Sequence, residues 1–369
     1  MRRLFFLSIT ILLIEIFTYV GAKGLFWLIK PYLPTAKNAV MIGMFILSHL
    51  FLATLFVGLF RFGMGYLAVL WLGMLAIIIT LAIIGVARWA GVDTATNGMV
   101  RLFGVGAFVS LVGLSVYNAY TPTVRYLSLQ IDKPINPVRI AMVSDTHLGS
   151  LVGVRQLNRL TDILTHEKAD MLIMPGDIMD DDTHAYYDEG MDVAFAKLVQ
   201  STNGNLFASL GNHDLYKENE RSAIVSAIRE SGAILLDDKT HTLTINGTPI
   251  TIIGRYDDHY QERKATHELM AGVDTDHLTV LLDHRPSQID ENVQLPIDLQ
   301  VSGHTHNGQV FPANFIVKAL NRVAYGHEQI NGTHVVVSSG YGFWGIPFRL
   351  GSQSEAWIID IMGNDILDK

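Results

Sequence analysis

Five clusters of oxygen and imidazole donors punctuate this chain: Asp145-Thr146-His147, Asp177, Asn212-His213-Asp214, His284 and His304-Thr305-His306. Each follows closely on a short apolar run. Ile140–Val143 stops at Ser144-Asp145, Met171–Met174 at Pro175-Gly176-Asp177, and Leu206–Leu210 at Gly211-Asn212. Leu278–Leu282 stops at Asp283-His284, and Ile297–Val301 at Ser302-Gly303-His304. Turn chemistry favours Gly, Asn, Asp and Pro and would explain any one of these endings, but it gives no reason for five histidines. Imidazole suits Mn, Fe or Zn, while carboxylate and amide oxygens suit harder ions, so the mixture points to first-row transition metals.

Three oxygen donors (Asp145, Asp177, Asn212) and several imidazoles are enough to hold two divalent cations. Two such ions about 3.5–4 Å apart clamp the attacking and leaving oxygens of an in-line displacement and lower the pKa of a bound water toward about 7. A carboxylate between them would bridge the pair and offset its repulsion. The reaction class implied is hydrolysis of a phosphate ester.

The elements that must position these donors read as alternating strands and amphipathic helices, the pattern of an α/β or α+β sandwich. Helices are expected over Val154–Lys168, with Leu157, Leu160, Ile163 and Leu164 on one face, and near Met191–Gln200, Glu220–Glu230 and Glu262–Met270. Further strands are expected near 233–236, 241–245, 249–253, 335–339 and 357–361, with Asn246-Gly247 as a hairpin turn. If the strands lie side by side, the donors at their ends converge on one sheet edge, where open α/β sheets carry their sites. Residues 138–369 read as this domain, and 122–137, with Pro134 and Pro137, as the linker before it.

The preceding third is different. Residues 1–120 hold eight Lys/Arg against two acids, Glu15 and Asp93, a formal +6; the remainder holds 19 basic and 33 acidic residues, a formal −14. An acidic domain does not suit a nucleic-acid partner. Cysteine is absent, which excludes disulfides and thiolate chemistry. Four apolar runs, about 4–20, 40–60, 66–87 and 102–119, approach the roughly 20 residues that a spanning helix needs. They predict a multi-pass transmembrane domain over 1–121, with the bilayer as partner. Lys and Arg divide almost evenly between the two sides, with a slight lean to an inner N-terminus and a cytoplasm-facing catalytic domain. Glu15 and His49 lie at membrane depth; Glu15 is expected near the interface or paired with Lys23, and His49 hydrogen-bonded within the bundle.

The ordered motifs Ser144-Asp145-Thr146-His147, Gly176-Asp177-Ile178-Met179-Asp180, Gly211-Asn212-His213-Asp214, His284 and Gly303-His304-Thr305-His306 resemble the signature of the calcineurin-like metallophosphoesterases over roughly residues 137–365. The tail His306-Asn307-Gly308-Gln309 resembles the branch of membrane-attached bacterial phosphoesterases and transmembrane proteins with a metallophosphoesterase domain, some of which act on UDP-2,3-diacylglucosamine. The apolar runs predict an all-α four-helix transmembrane bundle, and the resemblance implies that an α/β sandwich of two mixed sheets flanked by helices follows it. It implies that Asp145, His147 and His306 ligate one metal, that Asn212, His284 and His304 ligate the other, and that Asp177 bridges them. His213 would stabilise the phosphoryl group or protonate the leaving oxygen, with Asp214 orienting it, and Asp180 would hold a ligating histidine. Arg255 is expected to contact a substrate phosphate or to make a surface salt bridge. The Gly-rich aromatic stretch 340–349, ending in Arg349, would form a rim meeting lipid or a head group, or a loop tucked over the sheet. The function expected is a dinuclear phosphoesterase at the inner membrane, acting on a phosphodiester or pyrophosphate of a phosphorylated lipid or nucleotide-linked glycolipid. The alternatives are a phosphatase or nucleotide phosphodiesterase with a soluble substrate, and a non-catalytic metal-binding sensor.

Overall fold

A computed structural model describes residues 2–364. The chain divides into two compact units, Met1–Tyr117 and Asn118–Lys369. The first is built from α1 (Arg2–Ile29), α2 (Lys37–Ala53) and α3 (Phe60–Trp89), with α4 (Gly98–Tyr120) ending it. All four helices are long and apolar enough to cross a membrane. The first run, expected to end near residue 20, continues to Ile29 through Gly21 and Gly24. These glycines permit close helix approach: a Cβ on Gly24 would stand 2.7 Å from Ile77 Cδ1 of α3. Thr18 and Ser48 join α1 to α2 through their hydroxyls at 3.0 Å. Glu15 faces His49 at 3.2 Å rather than Lys23, whose ammonium lies over the Tyr19 ring. His49 also donates from Nδ1 to the Phe45 carbonyl.

The second unit contains the strands β1 (Thr123–Gln130), β2 (Val138–Met142), β3 (Met171–Pro175), β4 (Leu206–Ser209), β5 (Ile234–Leu235) and β6 (Lys239–Ile245). There follow β7 (Thr248–Gly254), β8 (Leu278–Leu282), β9 (Leu299–Ser302), β10 (Gly326–Ile330), β11 (Thr333–Val337) and β12 (Glu355–Met362). The helices are α5 (Val154–Glu167), α6 (His184–Asp188), α7 (Met191–Gln200), α8 (Glu218–Glu230), α9 (Thr266–Leu269), α10 (Ile289–Asn292) and α11 (Ala313–Leu320). They form two mixed six-stranded sheets, ordered β1-β12-β2-β3-β4-β5 and β10-β11-β9-β8-β7-β6.

Strand period decides what lies between the sheets. In β2, Ile140 and Met142 point into the inter-sheet core with Ile173, Phe207, Ile252, Val280 and Val301. Ala141, one residue out of phase, points the other way and packs with Leu157 and Leu160 of α5 and Leu198 of α7. Strands buried on both faces explain the unbroken apolar runs of the sequence. The parallel strands β2, β3 and β4 therefore end together, as do β8 and β9, and both sets deliver their next residues to one edge.

The stretch expected as linker holds β1, which pairs in parallel with β12 from Thr123↔Glu355 to Gln130↔Met362. Its partner lies more than 200 residues away, so no local pattern announced it. The helix expected over Glu262–Met270 shrinks to α9, because Lys264 is drawn into a loop by Asp238, whose carboxylate accepts its backbone N–H at 2.7 Å. β10 and α11 were not anticipated.

Candidate metal centre

The strand ends do converge. Asp145, His147 and His306 bring one donor atom each within 4.8 Å of one another, as do Asp177, His284 and His304, and as do His147, Asp177 and His213. His147 and His306 face each other through Nε2 at 3.2 Å, and His306 Nε2 lies 3.4 Å from an Asp145 oxygen. Asp177 stands between the groups, with one oxygen 3.1 Å from His284 Nε2 and 3.8 Å from His147 Nε2.

Local backbone geometry aims these groups. Asp145, His147, Asp177, His304 and His306 all have positive φ, between 45° and 67°. Non-glycine residues pay for this conformation and adopt it where the surroundings dictate it, often at functional sites. Two glycines make room: a Cβ on Gly211 would fall 2.2 Å from an Asp177 oxygen, and one on Gly303 2.1 Å from an Asp145 oxygen.

The donor set fits divalent cations on three counts. First, Asn212 Oδ1 and His284 Nε2 are buried without a hydrogen-bond partner. The opposite ring nitrogen of His284 donates to the Pro175 carbonyl at 2.8 Å, so Nε2 is the nitrogen turned toward Asp177 and the site. Second, burial pushes His147 and His304 down to about 3 and His306 well below its ordinary value, so their imidazoles are neutral and can ligate. Third, the buried site concentrates negative charge. Burial pushes Asp145 up to about 6 against the field of His284. Burial also opposes ionisation of Asp177, yet His284, His147 and His213 together hold it below the carboxylate range. That field raises His284 well above an ordinary imidazole, despite its burial. A cation between the two would supply the same compensation.

His213 is held differently from expectation. Its Nδ1 meets Asp181 Oδ1 at 2.7 Å. Burial would lower the ring's pKa, but this hydrogen bond and the nearby Asp177 raise it. Asp214 spends both oxygens on backbone: Oδ1 accepts from Met179 N–H, and Oδ2 from Ile178 and Gly211 N–H. It ties the Asp177 loop to the Asn212 loop and does not orient the imidazole. Burial and Asp177 push it up to about 7, against those three donors. Asp180 approaches His147 Nδ1 only to 3.8 Å, beyond hydrogen-bond reach.

Both candidate substrate arginines are interior. Arg255 is 2% exposed and donates to Asp283, Gln288 and the Lys264 carbonyl, so it braces the segment before His284. Arg349 is fully buried; its Nη2 donates to the Ser339 and Gly342 carbonyls, both at 2.6 Å, and lies 3.1 Å from His306 Nδ1. Neither is available to a substrate phosphate. Two partly exposed aromatic rings flank His213 instead: Tyr216 lies 4.8 Å and Trp344 6.3 Å from its ring, centroid to centroid.

Two layered mixed sheets gather at their strand ends a donor set that fits divalent cations. Residues 138–308 match the family model described as calcineurin-like phosphoesterase, which supports that superfamily for the C-terminal domain. Its reaction class is hydrolysis of phosphate esters. An uncharacterized metallophosphoesterase of Helicobacter pylori is 28% identical over 269 residues, 70% of each chain. A Bos taurus "transmembrane protein with metallophosphoesterase domain" is 28% identical over 282 residues, 68% of this chain and 59% of the relative. An Aquifex aeolicus metallophosphoesterase is 28% identical over 236 residues, 61% of this chain and 85% of the relative.

Proposed function

We propose that the protein is a membrane-anchored, dinuclear metal-dependent phosphoesterase that hydrolyses a phosphodiester or pyrophosphate of a lipid-linked substrate at the bilayer surface, with the domain facing the cytoplasm. The observation that carries the reading is the cluster Asp145, His147 and His306 beside the cluster Asp177, His284 and His304, with Asp177 also gathered to His147, on a chain with four membrane-length helices. Asp145, His147 and His306 would hold one ion and Asn212, His284 and His304 the other, with Asp177 common to both. Bound there, two divalent cations supply charge neutralisation for the phosphoryl oxygens and an acidified water.

The remaining work falls to the chain. His213, with Nδ1 fixed on Asp181, presents its other nitrogen to the leaving oxygen and gives it a proton. Asp214 keeps the two ligand loops in register, and Arg349 fixes the loop behind His306. Tyr216 and Trp344 flank His213 and would hold the group esterified to the phosphate.

The test is hydrolysis of a chromogenic phosphodiester by the purified full chain with Mn²⁺, beside D177A and H213A. Loss of turnover in both variants is expected, and equal activity in all three proteins overturns the mechanism. Lipid profiles of a deletion strain test the substrate class: an accumulating phosphorylated lipid supports it, and an accumulating soluble phosphoester contradicts it.

A further inference from the structure

Helix α11, Ala313–Leu320, is amphipathic but buries none of its residues. Phe315, Ile316 and Leu320 are 62%, 58% and 77% exposed. Positions 316 and 320, and likewise 315 and 319, lie one above the other on a helix, so Phe315, Ile316, Ala319 and Leu320 make one outward apolar face. The amphipathic helices α5, α7 and α8 do the opposite and bury Leu157, Leu198 and Ile228 in the core.

This helix is fixed to the metal centre. It starts five residues after Gly308, in the turn that carries His306, and that glycine packs so closely that a Cβ would lie 2.2 Å from Asn314 N. Gln309, between the turn and the helix, grips the backbone of Trp344 with its side-chain amide, accepting at 2.9 Å and donating at 3.0 Å. The apolar face and Trp344 therefore hang from the same segment.

We propose that α11 is an interfacial membrane helix, which seats the mouth of the metal centre at the lipid head groups. The occupant follows from the chain itself. The last membrane-length helix ends at Tyr120 and β1 begins at Thr123. The two residues between them span only about 7 Å even when extended. A bilayer is thus held within reach of this domain at high effective concentration. Charge agrees with apolarity: α11 has no acidic side chain and carries an exposed Lys318, within a domain of formal −14. A lysine beside a Phe, Ile and Leu face places its ammonium among lipid phosphates while the face enters the acyl boundary. The proposal rests on the lipid-substrate reading above and deepens it, because the scissile phosphate would then be taken at head-group depth.

Because the chain has no cysteine, single labels are unambiguous. The full chain bearing I316C or L320C is labelled with an environment-sensitive fluorophore and reconstituted in phosphatidylcholine–phosphatidylglycerol vesicles, beside V193C on α7, where Val193 is 57% exposed. The expected result is blue-shifted emission at 316 and 320, quenched roughly twofold or more by lipids spin-labelled near the head group, with 193 unquenched. Unquenched emission at 316 and 320 overturns the proposal, whether red (water-facing) or blue (covered by protein or a second copy). As a second readout, I316S/L320S should keep turnover of a soluble chromogenic ester within about twofold yet lose about fivefold or more on a vesicle-borne phosphodiester. Quenching at 316 and 320 without any lipid hydrolysis would uphold the membrane seat and count against the lipid substrate alone.

Discussion

Exchanging the aspartates around His213 separates positioning of the imidazole from construction of the site. D181N removes a charged acceptor 2.7 Å from Nδ1, and the Asp181 side chain is 34% exposed. A hydrogen bond to a charged group is worth about 1.5–3 kcal/mol where it acts, so kcat should fall about 10- to 100-fold. Solvent screening discounts the pair's contribution to folding to below about 1 kcal/mol, and Tm should move by less than about 3 °C. D214N is the mirror case. Asp214 is fully buried and accepts three backbone N–H groups through two oxygens, whereas an asparagine keeps only one oxygen and turns an NH₂ on the rest. Unsatisfied donors cost about 1–3 kcal/mol each, so destabilisation of about 2–5 kcal/mol and a Tm loss of about 5–15 °C are expected. Below that Tm its kcat should stay within a few-fold of wild type. The assay pairs initial rates on a chromogenic phosphodiester with thermal melts of the same detergent-solubilised preparations. Wild-type kcat in D181N, together with D214N losing kcat at an unchanged Tm, would refute the assignment.

Three further outcomes follow from the same contacts. R349M removes the guanidinium that holds Ser339 and Gly342 behind His306, so the Mn²⁺ concentration for half-maximal activity should rise about 10- to 100-fold with little change in KM, read by metal titration. R255M removes the closer of the two guanidinium partners of the buried Asp283 carboxylate, leaving Arg263 at 3.4 Å, and should destabilise the domain by about 1–3 kcal/mol, while KM at a permissive temperature stays put. G303A drives a methyl to 2.1 Å from Asp145 and should cost bound metal before it costs secondary structure, as elemental analysis beside circular dichroism would show.

How far the sequence reaches depends on what kind of physics places each residue. The seven candidate ligands were legible because a parallel strand is an unbroken apolar run and its end is marked by the first polar group, as at Val143-Ser144-Asp145 and Val301-Ser302-Gly303-His304. The four membrane-length helices were legible for the same reason, composition over a long window. Asp181 was not. It is the middle of Asp180-Asp181-Asp182; Asp180 also lies near the site, and no spacing rule says which of the three carboxylates meets His213 at hydrogen-bond distance. An arginine near a phosphate site reads equally as a contact to substrate or as a brace behind the ligands, so the sequence leaves Arg255 and Arg349 undecided. Their burial is sustained by partners scattered from Lys264 to Gln288 and from Ser339 to Ser352. β1 escaped because its hydrogen-bonding partner, β12, is at the far end of the domain. α11 escaped because eight residues after a Pro make a weak periodic signal, and its apolar face turns outward, where a core helix would turn inward.

The central claim is that one carboxylate, Asp177, serves two ions. Elemental analysis of the purified full chain, loaded with Mn²⁺ and freed of excess, tests it most directly. Two ions per chain are expected in the wild type, one in N212A, and fewer than one in D177A. A single ion in the wild type, or two retained in D177A, would contradict it.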